Sequence, residues 1–250
     1  MNTNNEDQII NILNENRISS LNSFWKTQIK ELFHEDDESA IVIARNVFSN
    51  SNYKSDIEIE VKKQKLRVSI KSGSMPILHQ EKADYFLSFL SDIGVSQETV
   101  NLIGIIAFND GTSNGTGNKE DFSFKEFYNE NIENIKKASE ELSEPDVIRA
   151  ITLRTLYKIR KEGSFEVDYL YYGNADYGIF VSRNELIKQA LEMKTNHYKG
   201  LHSGPLFIRR KHQVEDPYKQ YKYETILLTW PTLYRDVNTI KKSRRCYSLF

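Results

Sequence analysis

Residues Lys54–Gly73, KSDIEIEVKKQKLRVSIKSG, decide how the chain reads. Apolar and polar residues alternate twice, through Ile57, Ile59 and Val61 and then through Leu66, Val68 and Ile70. Two period-two runs parted by the polar Lys62-Lys63-Gln64-Lys65 predict a β-hairpin with one buried face. Pairing Val61 with Leu66 sets Ile59 against Val68, Ile57 against Ile70, Glu58 against Ser69 and Asp56 against Lys71. Side chains alternate across a strand, so Asp56, Glu58, Ser69 and Lys71 share the polar face, with opposite Cβ atoms roughly 5 Å apart. A carboxylate, an ammonium and a hydroxyl on one apolar-backed surface can hold a divalent metal ion and a water.

Before the hairpin, spacing predicts amphipathic helices over Glu6–Asn16 and Leu21–Phe33, the second presenting Phe24, Trp25, Ile29, Leu32 and Phe33. Ser39–Phe48 is apolar and short, and periodicity leaves it as strand or packed helix. After the hairpin, helices are expected over His79–Leu90 and from an N-cap at Ser96 through Ala107. Asp110–Asp121 (DGTSNGTGNKED) reads as a mobile surface loop; its GTSNGTG lacks the GK[ST] of a phosphate-cradling loop. Further helices follow over Phe124–Leu142 and, after Ser143-Glu144-Pro145, over Asp146–Glu162. Strands are expected at Phe165–Tyr172, Gly178–Ser182, Leu206–Ile208 and Tyr223–Thr229, with a helix over Asn184–Tyr198. Helices, a hairpin, helices and then mixed strands make an α/β (α+β) protein with a central mixed sheet and flanking helices. No repeat or linker divides it, which favours a single domain over residues 1–250: a helical part to about 48, the hairpin at 54–73, and basic strands at about 205–235.

The 250 residues allow a sizeable core, and 39% apolar with 28% charged residues suits a soluble globular protein. No apolar run approaches the ~20 residues of a membrane helix, and MNTNNEDQII lacks the form of a signal peptide. A cytoplasmic protein with no membrane partner is expected. The single Cys246 excludes an internal disulfide and a cysteine-rich zinc site. Net charge is −1, but residues 205–250 carry ten basic and four acidic side chains, whereas residues 1–40 carry three and eight. A basic C-terminal segment suits an anionic partner on one face, or a plain solvated surface.

Tyr53-Lys54-Ser55-Asp56-Ile57, followed by Ser69-Ile70-Lys71, resembles the PD-(D/E)xK nuclease core. It looks most like the small type II restriction endonucleases of the HinP/MspI branch, which cut four-base sites and carry an Asp on one strand and a Q/N-x-K element on the next. Ile77-Leu78-His79-Gln80-Glu81 and Gly204–Lys211 (GPLFIRRK) extend the likeness across residues 40–235. The resemblance implies Mg²⁺-dependent hydrolysis of double-stranded DNA at a short palindromic site, with a homodimer as one way to meet a two-fold site. Asp56 would ligate the metal with the Ile70 carbonyl, and Lys71 would orient and help deprotonate the attacking water. Ser69 stands where the superfamily has Glu or Asp and this branch Gln or Asn. It reaches a metal only through water, and Glu58 is then the candidate second carboxylate.

For DNA binding the resemblance implies Lys54, Ser72 and Ser74 beside the lysine, with Leu78 and Gln80 at the start of the following helix as a wedge. Arg209, Arg210 and Lys211 are the candidates for base reading, since arginine makes bidentate contacts to guanine. The plainer readings stand beside these. Asp56 and Lys71 can be an exposed ion pair, Glu58 and Ser69 a solvated hairpin face, Leu78 core, and Arg209–Lys211 a charged sheet edge. Tyr169, Tyr171 and Tyr172 read as packing residues. Two other readings share the core: a non-specific or structure-specific repair nuclease, and a catalytically degenerate DNA-binding module.

Overall fold

The computed structural model describes residues 4–47, 55–74, 77–157, 167–193, 200–211 and 224–247. Among these, the chain begins with α1 (Asn5–Leu13), β1 (Asn16–Arg17), α2 (Ser23–Phe33), β2 (Ile41–Asn46), β3 (Ile57–Val61) and β4 (Gln64–Lys71). Next come β5 (Ile77–Lys82), α3 (Ala83–Asp92), α4 (Gln97–Phe108), α5 (Phe124–Glu130), α6 (Ile132–Leu142) and α7 (Pro145–Leu156). The last elements are β6 (Tyr169–Gly173), β7 (Gly178–Ser182), α8 (Arg183–Glu192), β8 (His202–Ser203), β9 (Leu206–Arg210), β10 (Thr225–Thr229) and α9 (Leu233–Tyr247). No helix among them is long and apolar enough to cross a membrane.

They form two compact units. The first comprises Met1–Pro76, Leu156–Gln189 and Thr232–Phe250, and the second Ile77–Thr155 and Ala190–Pro231. The first is built on a six-stranded mixed sheet of order β1-β2-β3-β4-β6-β7. Every pairing in it is antiparallel except that of β4 with β6, which is parallel. Asn4 and Asn22 cap α1 and α2 by accepting from the N–H groups of Asp7 and Trp25. Those helices pack on β2 and β7. Ile57, Ile59, Val61, Val68 and Ile70 are all buried, in one cluster with Trp25, Tyr171 and Phe180. The Trp25 ring stacks on Tyr171 at 5.4 Å between centroids, and its Nε1 donates to the Ala175 carbonyl at 2.7 Å. Full burial of one such side chain is worth roughly 3 kcal/mol.

The hairpin is present with the expected buried face, but its register differs. Val61 pairs with Gln64, Ile59 with Leu66, Ile57 with Val68, and Glu58 with Arg67 rather than Ser69. The cause is the turn. Only Lys62 and Lys63 lie between the strands, and Lys62 takes φ 55°, the positive value that a primed two-residue turn requires. Its ammonium is anchored to Glu35 at 2.8 Å and Asp37 at 3.5 Å. A two-residue shift leaves every side chain on its expected face, because only odd shifts exchange the faces.

The second unit carries an antiparallel sheet of order β5-β10-β9-β8, contacted by α3, α4 and α6. The expected helix over His79–Leu90 starts late. Ile77–Lys82 pairs along Thr225–Thr229 as β5, and helical structure begins only at Ala83. Ser96 does cap α4, accepting from Thr99 N at 3.3 Å. The Gly-rich loop is closed on Asp110, whose carboxylate accepts from Thr112 N, Thr112 Oγ1 and Gly117 N. Gly104 is required by that closure, since a Cβ there would lie 2.3 Å from the Ser113 carbonyl oxygen. The expected helix over Phe124–Leu142 breaks at Asn131 into α5 and α6.

Candidate active site

Asp56 stands immediately before β3, where its N–H donates to the Val68 carbonyl at 2.9 Å. Its carboxylate reaches across to three consecutive residues of β4. Oδ2 accepts from the Ile70 N–H at 2.5 Å and from Ser69 Oγ at 3.0 Å, and lies 3.5 Å from Lys71 Nζ. β3 has ended at this level, so the Asp56 side chain takes the place of a main-chain partner for Ile70. Ser69 is buried, while the Asp56 and Lys71 side chains are 30% and 21% exposed. The acid and the amine are thus fixed by the sheet yet open to solvent.

Glu58 does not join them. It sits across from Arg67 and accepts from Arg45 Nε at 3.1 Å and from Arg45 Nη2. Arg67 Nε and Lys65 Nζ stand 3.7 and 3.9 Å away. Its charge is therefore balanced by its own row of cations, and the expectation that it faces Ser69 is corrected by the two-residue turn. Among the described residues, no three His, Cys, Asp or Glu side chains are grouped to hold a metal ion.

The donors at the site are one carboxylate, one hydroxyl and one main-chain carbonyl. In a strand, a residue's N–H and C=O point to the same edge, so the Ile70 carbonyl shares the edge at which its N–H meets Asp56. Hard oxygen donors in this number fit Mg²⁺, which is commonly held by one or two carboxylates and completed by water and substrate phosphate. They do not form a closed all-protein cage.

Tyr172, expected only to pack, and Asp168, which carried no expectation, flank the site. Tyr172 pairs with Lys71 across the β4–β6 ladder, and its hydroxyl donates to the Gly73 carbonyl, just beyond that lysine. Burial raises the phenol's pKa, with Tyr234 and Tyr177 adding to the effect. The Tyr172 ring lies 6.2 Å from that of Tyr234, which is 60% exposed. Asp168 pins the start of β6 to β4, accepting from Arg67 N at 2.7 Å while its own N–H donates to the Arg67 carbonyl. The only signal for Tyr172 was its place in a run of tyrosines, which reads equally as packing.

Lys54 lies outside the described residues, and Ser72 and Ser74 are exposed just past β4. Leu78 and Gln80 are on strand β5 instead of a helix, and Leu78 is buried, which removes it as an exposed wedge. Gln80 is exposed and accepts from Lys211 Nζ at 3.3 Å. Arg210 separates from its neighbours: its guanidinium lies 4.8 Å over the Phe124 ring, and desolvation lowers its pKa.

No family model matches the chain, and no curated protein matches its sequence. Among solved structures it is similar to restriction endonuclease MspI in complex with its cognate DNA, with a TM-score of 0.54. Identity is 13%, and the match covers 90% of this chain and 87% of that one. What the two share is architecture, a mixed α+β chain with a central mixed sheet and flanking helices. The chain has a restriction-endonuclease-like fold.

Proposed function

We propose that the protein is a Mg²⁺-dependent endonuclease of the type II restriction kind, related to the HinP/MspI branch and cutting duplex DNA at a short palindromic site. The observation that carries this is the contact of Asp56 with Ser69, Ile70 and Lys71 across two adjacent strands, on a fold shared with a restriction endonuclease. Asp56 and the Ile70 carbonyl would hold the ion. When bound, Mg²⁺ polarises a phosphoryl oxygen and lowers the pKa of a bound water. Ser69 Oγ and the Ile70 N–H hold the Asp56 carboxylate in one orientation. Lys71 orients the water that attacks phosphorus and offsets charge growing on the phosphate as the bond to the leaving oxygen breaks. Two copies of the chain on one duplex are one way to meet a two-fold site.

Incubating the pure protein with phage DNA and Mg²⁺, then sequencing the ends, tests the reading. One short two-fold sequence at every end is the expected result. Ends scattered over unrelated sequences would indicate a non-specific nuclease. The single carboxylate favours one further reading, a module that binds DNA without cutting it. Salt-sensitive retention on DNA with no new ends in Mg²⁺ would select that reading.

A further inference from the structure

The register of the second sheet sorts its side chains into two unlike faces. Gln80, Leu227 and Arg209 lie in one row across β5, β10 and β9. Lys82 and Thr225 lie two residues along, and Lys211 joins them where its N–H donates to the Thr225 carbonyl at 2.9 Å. Residues two apart along a strand share a face, so Gln80, Lys82, Arg209 and Lys211 stand on one side of the sheet. The row between them, Glu81, Ile226 and Arg210, belongs to the other side. There Glu81 is gripped by Arg154 and His79, and Arg210 lies over Phe124. The only carboxylate within β5, β9 and β10 is thus on the opposite face, leaving three cations and an amide without a neutralising acid from these strands.

We propose that this face reads duplex DNA, with Arg209 and Gln80 meeting base edges and Lys82 and Lys211 meeting phosphates; the proposal rests on the nuclease reading above. Three adjacent strands span roughly 10 Å, which compares with the ~12 Å width of the major groove. Arg209 Nε is buried with no hydrogen-bond partner among the described residues, so the contact to a base falls to the two Nη groups. An arginine fork and a side-chain amide are the groups that pair bidentately with guanine and adenine. The Gln80 carbonyl oxygen accepts from Lys211, which leaves the amide nitrogen as a donor. Lys82 is exposed, as a phosphate contact must be. Arg210, although adjacent in sequence to Arg209, takes no part.

The test is selection from a pool of short duplexes with a randomised centre, using wild-type protein in Ca²⁺ and Asp56→Asn protein, so that binding is read without cleavage. Wild type should enrich a sequence containing guanine. Arg209→Ala should bind that sequence roughly ten- to a hundredfold more weakly and lose preference at one guanine. Arg209→Lys, which keeps the charge but not the fork, should lose the same preference with an unchanged salt dependence. Lys82→Ala should keep the preference, bind more weakly on every sequence, and lower the slope of log affinity against log salt by about one. Arg210→Gln should enrich the wild-type sequence. The proposal is overturned if no duplex is retained, if both Arg209 variants keep the wild-type preference, or if Arg210→Gln alters it as Arg209→Ala does. Selective binding that depends on Arg209, by a protein that never cuts, would leave this surface standing and remove the nuclease reading alone.

Discussion

Asp56 Oδ2 lies 3.5 Å from Lys71 Nζ although the hairpin register sets Lys71 two residues beyond the level of Asp56. The carboxylate leans along the face past Ser69, which places acid and amine to act as one unit. Asp56→Asn and Lys71→Ala should each reduce cleavage by about 10³-fold or more, and the double variant should be scarcely worse than either. Single-turnover rates on plasmid DNA measure this. Fully multiplicative losses would mean the two groups act separately.

Glu58→Gln should cut nearly as well as wild type, because Glu58 is surrounded by Arg45, Lys65 and Arg67 and does not face Ser69. Its ion pairs are partly exposed, so the loss of stability should stay below ~1 kcal/mol. Loss of all cleavage by a protein with an unchanged urea midpoint would instead make Glu58 the second metal ligand.

Tyr172→Phe removes the hydrogen bond to the Gly73 carbonyl, which holds the chain just past Lys71. One hydrogen bond of this kind contributes ~1 kcal/mol, and its loss should slow the maximal cleavage rate about tenfold while KM for DNA is unchanged. A lowered melting temperature with unaltered kinetics would reduce Tyr172 to a packing residue.

Glu81 contributes to the pH dependence of the second unit. Burial pushes its carboxyl pKa up, but the hydrogen bonds and charges of His79 and Arg154 outweigh burial and hold it at about 2, below the usual 4.5. A depressed carboxyl stabilises the fold above pH 4.5, and that contribution is lost as pH falls from 4.5 toward 2. The shift corresponds to about 3 kcal/mol. Glu81→Gln should be ~3–5 kcal/mol less stable near neutral pH, since Arg154 is left with an unbalanced charge, and should lose less stability on acidification than wild type. Parallel urea curves for the two proteins down to acid pH would contradict this.

The buried face of the hairpin was legible because Ile57, Ile59, Val61, Leu66, Val68 and Ile70 keep strict alternation, and alternation fixes faces whatever the register. The register was not legible. Lys62-Lys63 lacks the Asn-Gly or Gly-rich signature of a two-residue turn, and its positive φ is held by ion pairs to Glu35 and Asp37 from a distant segment. That turn alone moved Glu58 away from Ser69. β5 was hidden for a similar reason. His79-Gln80-Glu81-Lys82 is polar throughout, and its strand conformation comes from pairing with β10 and from burying Glu81 against Arg154. The basic C-terminal segment carried no expectation of a helix, yet Leu233–Tyr247 forms α9 with Leu233, Val237 and Ile240 buried. Six charged side chains lie along it, while three buried apolar residues at helical spacing decide how it packs.

Asp56 and Lys71 are proposed to cleave DNA together with a divalent ion. The most direct measurement is a digest of supercoiled plasmid by wild-type and Asp56→Asn protein, each with Mg²⁺ and with excess chelator, beside a binding assay on the same samples. Discrete linear fragments from wild type in Mg²⁺ alone, with Asp56→Asn still bound to DNA but leaving it intact, is the predicted result. Equal cutting by the two proteins, or cutting that survives the chelator, would contradict it.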